Sequence, residues 1–307
     1  MAGIDYLTDP LQYDFMKRAL VEVILMGAVT GAIGAYIVLR GLAFIGDALS
    51  HAIFPGIVIA FLLGQGIFFG ALIFGILTSI SIGIVSTSQR VKEDSAIGVL
   101  FAGSFALGIV LISSSKNFTR DLASFLFGNV LGVTTHDIVL SAIAGAVVIV
   151  LIAVFYRELL ITSFDRAGAE AMGLPVLVLD LMLLVLISLT IVVSLRAVGN
   201  ILVVAMLVTP AATARLLTDR LPVMIGLGAL IGVVSGIVGL YVSYYNDVAA
   251  GGTIVLVATA AFGLAWLFAP NTGYVTTRVV KRRVAAGGPE TTILFESPEI
   301  QQPHESA

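Results

Sequence analysis

Cysteine is absent from all 307 residues, charged residues make up only 11% of them, and histidine occurs three times. Without cysteine there is no disulfide, no iron–sulfur cluster and no thiolate metal site. A soluble domain of this length would carry roughly a quarter charged residues. The missing charge leaves no aqueous coat, a condition that suits a bilayer and not water. The formal net charge of −3 is too small to point to nucleic acid or to a strongly acidic or basic partner. No Gly-x-x-x-x-Gly-Lys-Ser/Thr phosphate loop, nucleophile–base grouping or metalloprotease motif occurs, which argues against an enzyme and against ATP hydrolysis by this chain. A signal peptide is not expected either: residues 1–13 are polar, and the first apolar run is long enough to span.

What is present is apolar. Hydrophobic residues are 59% of the chain and the mean hydropathy is +1.09. Apolar runs lie near 19–39, 52–64, 66–86, 95–114, 137–155, 176–198, 200–217, 222–245 and 252–270. A spanning helix needs about 20 such residues. The run at 52–64 is short, so it either extends back through Gly46–His51 or belongs to a broken helix. The expected fold is an all-α, polytopic integral membrane bundle of eight helices, with nine possible. Residues 1–16 form an N-terminal segment, 17–270 the transmembrane domain, and 271–307 a polar tail. The tail carries Pro289, Pro298 and Pro303 and is expected to be cytoplasmic and mostly disordered.

Basic clusters recur at every second loop, at Arg90–Lys92, Arg157–Arg166, Arg215–Arg220 and Lys281–Arg283, and so share the cytoplasmic side. Loops 115–136 and 246–252 then face outward, although Lys116 and Arg120 fit that side poorly. Lys17, Arg18 and Arg40 flank both ends of the first run and leave the side of the N-terminus open. Gly228, Gly232 and Gly236 form one small-residue ladder, and Gly27 with Gly31 another. Such ladders let helix backbones approach in lipid and mark a tight bundle or a dimer seam.

Ionisable residues inside membrane segments are costly and face cavities or pathways. Asp47 and His51 are four apart and share a helix face, and a carboxylate with an imidazole is a ligand pair for a divalent first-row metal. The alternative is a helix-edge cap with His51 at the water interface. Pro55 and Gly56, one turn on, are expected to break the helix. Glu22 and Asp180 lie close enough to helix ends to reach the interface or a partner. Asp247, at the outer end of the eighth run, is a further metal-ligand candidate, whereas His136 and Asp137 are read as a helix start. In the segment 163–175, Asp165, Arg166 and Glu170 alternate with apolar Phe164, Ala171, Met172 and Leu174, and Gly173 and Pro175 end the pattern. A short amphipathic helix on the cytoplasmic face, fitted to a partner's groove, is the expectation.

The stretch Gly46-Asp-Ala-Leu-Ser-His-Ala-Ile-Phe-Pro-Gly56 resembles the signature of the ABC-3 family of metal-importer permeases. Four further segments resemble that family in order: Lys92–Gly98, Leu126–Gly132, Ser163–Pro175 and Leu207–Leu217. The resemblance implies a non-enzymatic permease in the bacterial cytoplasmic membrane, working as a homodimer. It also implies two ATP-binding subunits, an extracytoplasmic metal-binding protein, and a coupling role for Phe164, Asp165, Arg166, Glu170 and Gly173. The cargo is a divalent ion, Mn²⁺, Zn²⁺ or Fe²⁺, and no resident cofactor is expected. The wording of Phe127–Leu131 and Leu207–Pro210 is more similar to the manganese branch, and a cysteine-free oxygen and imidazole site suits Mn²⁺. Ligation needs a neutral imidazole, so acid is expected to weaken binding. The competing reading is a gradient-driven secondary transporter with Asp47 and His51 as a proton relay.

Overall fold

A backbone in hydrocarbon must satisfy its own hydrogen bonds, and these apolar runs do so as helices. The computed structural model describes residues 8–87, 91–113, 130–269 and 273, apart from the side chains of residues 196 and 197. Among the described residues there are twelve α-helices. They are α1 (Asp14–Leu39), α2 (Ile45–Ala52), α3 (Phe54–Leu62), α4 (Ile67–Ser86), α5 (Glu93–Ser113) and α6 (Thr135–Val154). There follow α7 (Tyr156–Phe164), α8 (Arg166–Ala171), α9 (Val176–Val198), α10 (Asn200–Leu217), α11 (Leu221–Asn246) and α12 (Ala250–Phe268).

Among the described residues nine helices are long and apolar enough to span, because α2 and α3 together make one crossing of 18 residues, Ile45–Leu62. That number is the upper of the two expected values. The run at 52–64 looked short because only its second half is uniformly apolar; the first half carries Asp47, Ser50 and His51. The break falls at Ile53. Pro55 lacks the N–H that would bond the His51 carbonyl four residues back, and its ring crowds that carbonyl.

An odd number of spans places the two ends of the bundle on opposite faces. Arg40, Lys92, Arg157, Arg166, Arg215 and Arg220 then all lie on one face, which the positive-inside rule makes cytoplasmic. The start of α1 is consequently on the outer face, which the charges of Lys17 and Arg18 alone left open. Contacts agree with this assignment. The Tyr13 ring lies 6.3 Å from that of Tyr244 near the end of α11, tilted against it, while Arg40 at the other end of α1 reaches α7 and α9. The outer loop at 115–129, including Leu126–Asn129, and the tail beyond Ala269, apart from Gly273, lie outside the described residues.

The two glycine ladders meet each other. A Cβ on Gly27 would lie 2.7 Å from the backbone of Gly232, and Gly31 is similarly opposed to Gly228. They therefore seal α1 to α11 within one chain, and the ladder faces are not free to form the dimer seam considered from sequence. Gly34 continues the seam against the Leu207 carbonyl of α10. Backbones this close exchange dispersion contacts that side chains would block, the force that holds helices together where lipid is as apolar as leucine.

Candidate metal pathway

His51 and Asp47 come together as their spacing implies. Both lie on α2, with Asp47 Oδ1 3.5 Å from His51 Nε2. At 1.5 Å per residue, His51 is about 9 Å along the span from Ile45, roughly a third of the way through the crossing. The Asp47 side chain is 54% exposed and that of His51 27%. Asp47 lines a groove of about 370 Å³ with Phe44, Asp94, Ile97 and Phe101, on the cytoplasmic side of the histidine. The imidazole is walled by Phe101 and Phe105 of α5, with ring centroids 5.7 and 5.4 Å away.

A third side chain approaches the pair. Asn200 Nδ2 lies 3.4 Å from His51 Nε2, across 149 residues of chain. Gly199 makes this possible. It alone links α9 to α10, at φ 84° and ψ 163°, a conformation open essentially only to glycine. The break at Ile53–Pro55 within the second span and the link at Gly199 between two spans thus both lie beside His51. Spans interrupted as the second one is line binding sites in transporters. Sequence reasoning missed Asn200; its one signal was an amide in the long uncharged stretch from Val198 to Ala214.

Among the described residues, no third His, Asp or Glu joins Asp47 and His51. Asp247 in particular stands apart from them. It is exposed and ends α11 in the left-handed conformation (φ 51°), where Val248 N–H bonds back to the Ser243 carbonyl. Asp137 is the helix start it was read to be: Thr134 and Asp137 form a reciprocal capping box on α6, and His136 is exposed beside it. Glu22 does not reach the interface. It is fully buried, and its Oε1 accepts a 2.6 Å hydrogen bond from Ser141.

At the cytoplasmic end, Asp180 does find partners. Arg40 Nη1 donates to its Oδ1 and Arg166 Nη1 to its Oδ2, each at 2.6 Å. Arg40 also donates to Ser163 Oγ and Thr162 Oγ1 at 3.1 Å. One carboxylate therefore ties the loop just before α2 to α8 and to the start of α9. The segment 163–175 is two helices rather than one, because Asp165 leaves helical geometry and caps α8 through Gly168 N–H at 2.8 Å. Gly173, at φ 77°, closes α8 with paired bonds from its own N–H to Glu170 and from Leu174 N–H to Ala169, a Schellman motif. Phe164, Asp165, Arg166, Glu170 and Met172 are exposed around it.

Residues 12–269 match the description ABC 3 transport family. The chain is 49% identical over 277 residues to the manganese transport system membrane protein MntC of Halalkalibacterium halodurans, covering 90% of this chain and 95% of that one. The protein of the same name from Listeria monocytogenes is 48% identical, covering 91% and 99%. Among solved structures, PsaBC from Streptococcus pneumoniae in complex with Fab superposes with a TM-score of 0.78 at 40% identity, covering 90% of this chain and 99% of that one.

Proposed function

The chain belongs to the ABC 3 transport family, and on that premise we propose that it is the membrane-spanning permease of an ATP-driven importer of Mn²⁺, a multi-pass protein of the bacterial cell membrane. The observation that carries the pathway is the Asp47–His51 pair, a carboxylate and an imidazole 3.5 Å apart within a spanning segment. Such groups inside a bilayer mark an ion route. A half-exposed Asp47 cannot face lipid, so the groove it lines is wet or is covered by a second copy of the chain. The ion moves between two copies, passing the His51 level and then Asp47 and Asp94 toward the cytoplasm. Asp247, remote from the pair, is retained only as a contact for ions arriving at the outer face.

Manganese is favoured by the relatives' names and by the chemistry: oxygen and imidazole donors without thiolate suit a hard cation. Zn²⁺ outranks Mn²⁺ in intrinsic affinity for such donors, so selectivity rests on geometry and on the delivering protein. ATP hydrolysis is supplied by two partner subunits. Their docking surface is α8 with its flanks, where Phe164 and Met172 are exposed apolar residues set among Asp165, Arg166 and Glu170. Motion there reaches the pathway through Asp180, because Arg166 and Arg40 share its carboxylate and Arg40 immediately precedes the α2 loop.

The test is uptake of Mn²⁺, Zn²⁺ and Fe²⁺ by cells expressing the permease with its ATP-binding subunit and metal-binding protein. Mn²⁺ uptake that stops when the ATP-binding subunit is omitted is the expected result. Uptake that continues without that subunit and collapses with the proton gradient overturns it in favour of gradient-driven transport.

A further inference from the structure

We propose that Asn200 is the third ligand of the transported ion, supplying an amide oxygen beside Asp47 and His51. The inference rests on the reading of that pair as the ion's station in the membrane.

Three features carry it. First, Asn200 is buried at 6% exposure, yet its Oδ1 has no hydrogen-bond partner. A buried amide oxygen left unpaired is rare and calls for a cause. Second, Asp47 Oδ1 stands off His51 Nε2 by about the spacing of two ligands on one metal, and the Asn200 amide, through its nitrogen, lies at a similar distance. Asp47 Oδ1 is 3.5 Å away and the Asn200 amide 3.4 Å. Both are long for charge-assisted or ordinary hydrogen bonds. Ligand atoms about 2.1 Å from one metal lie roughly 3.0 Å apart at a right angle and about 3.4 Å apart at the tetrahedral angle. Third, the amide is held by backbone and not by chance rotation of a surface chain. Gly199 fixes the turn, and Asn200 begins α10, which is locked to α1 where Gly34 meets Leu207.

With its nitrogen 3.4 Å from His51 Nε2, Asn200 stands where a metal would meet the imidazole. Half a turn of the terminal amide exchanges nitrogen for oxygen, frees the imidazole and offers Oδ1 to the cation. The same side chain can thus turn either its nitrogen or its oxygen toward the imidazole. A neutral oxygen donor raises the hard, oxygen-rich character of the site and favours Mn²⁺ relative to Zn²⁺.

The experiment is Mn²⁺ binding to the permease assembled with its ATP-binding subunits in nanodiscs, followed by loss of the free-ion electron paramagnetic resonance signal, with Zn²⁺ as competitor. Asn200→Leu is expected to weaken Mn²⁺ binding about tenfold or more, the scale on which losing a supporting group lowers metal affinity, and to weaken Zn²⁺ less. Asn200→Asp, which keeps an oxygen in place and adds charge, is expected to bind Mn²⁺ at least as tightly as the wild type. It also serves where the leucine variant does not assemble. If Asn200→Leu binds both ions as the wild type does while Asp47→Ala and His51→Ala do not, the third ligand is disproved and the pair stands. Equal loss in Asn200→Leu and Asn200→Asp likewise overturns it, since an oxygen is then not what matters. If Asp47→Ala and His51→Ala also bind normally, the station itself is elsewhere and both readings fall.

Discussion

The cytoplasmic knot at Asp180 and the cluster at His51 are built from similar groups and differ in how fully those groups are paired. Asp180 is buried, both its oxygens accept from guanidinium groups at 2.6 Å, and Arg40 has two hydroxyl acceptors besides. At His51 the contacts are 3.4 and 3.5 Å, one amide oxygen is unpaired, and the carboxylate is half exposed. Buried charge persists only when hydrogen-bonded and paired. The first cluster is therefore complete as it stands and acts as a fastener. The second is left unsaturated, and it is the cluster proposed above to meet the cation.

Substitutions should split along that line, and the sharpest break is expected at Asp180. Asp180→Ala leaves the mostly covered Arg40 guanidinium without its counter-charge and should cost about 3 kcal/mol, seen as a lowered thermal midpoint of the purified permease. Replacing the pair together, Arg40→Met with Asp180→Leu, should recover much of that stability but not ATP-coupled uptake. A smaller loss is expected from Gly34→Ala, whose methyl meets the Leu207 carbonyl across the α1–α10 seam. Overpacking of this kind costs about 1–3 kcal/mol, and because α10 carries Asn200, Mn²⁺ affinity measured alongside should fall too. Least of all should Asp47→Ala disturb folding. Its stability change should stay below about 1 kcal/mol, the scale of a charge in the first turn of a helix, while Mn²⁺ uptake is lost. A thermal midpoint that falls as far for Asp47→Ala as for Asp180→Ala would erase the distinction.

Much of the fold was legible because bilayer crossings are long and apolar: all nine runs correspond to spans. The count wavered only where the second span contains the polar residues that matter, since Asp47, Ser50 and His51 dilute its hydropathy. Asp47 and His51 could be paired from four-residue spacing, a local rule of helix geometry. Asn200 could not, because 149 residues separate it from His51 and only the turn at Gly199 brings it near. Asp180 with Arg40 and Arg166 was hidden for the same reason. The glycine ladders were recognisable as contact faces, but periodicity does not name a partner, and each proved to be the other's. The helical character of the segment 163–175 was legible, yet its division at Asp165 depends on a side-chain cap that competes with helix continuation.

The odd number of crossings constrains how two copies can be combined. In each copy the nine described spans start outside and finish inside, so joining the last of them directly to the first of a second copy would insert that copy upside down. A single-polypeptide version must include a tenth hydrophobic segment as a bridge, whereas separate copies inserted independently share one orientation from the outset.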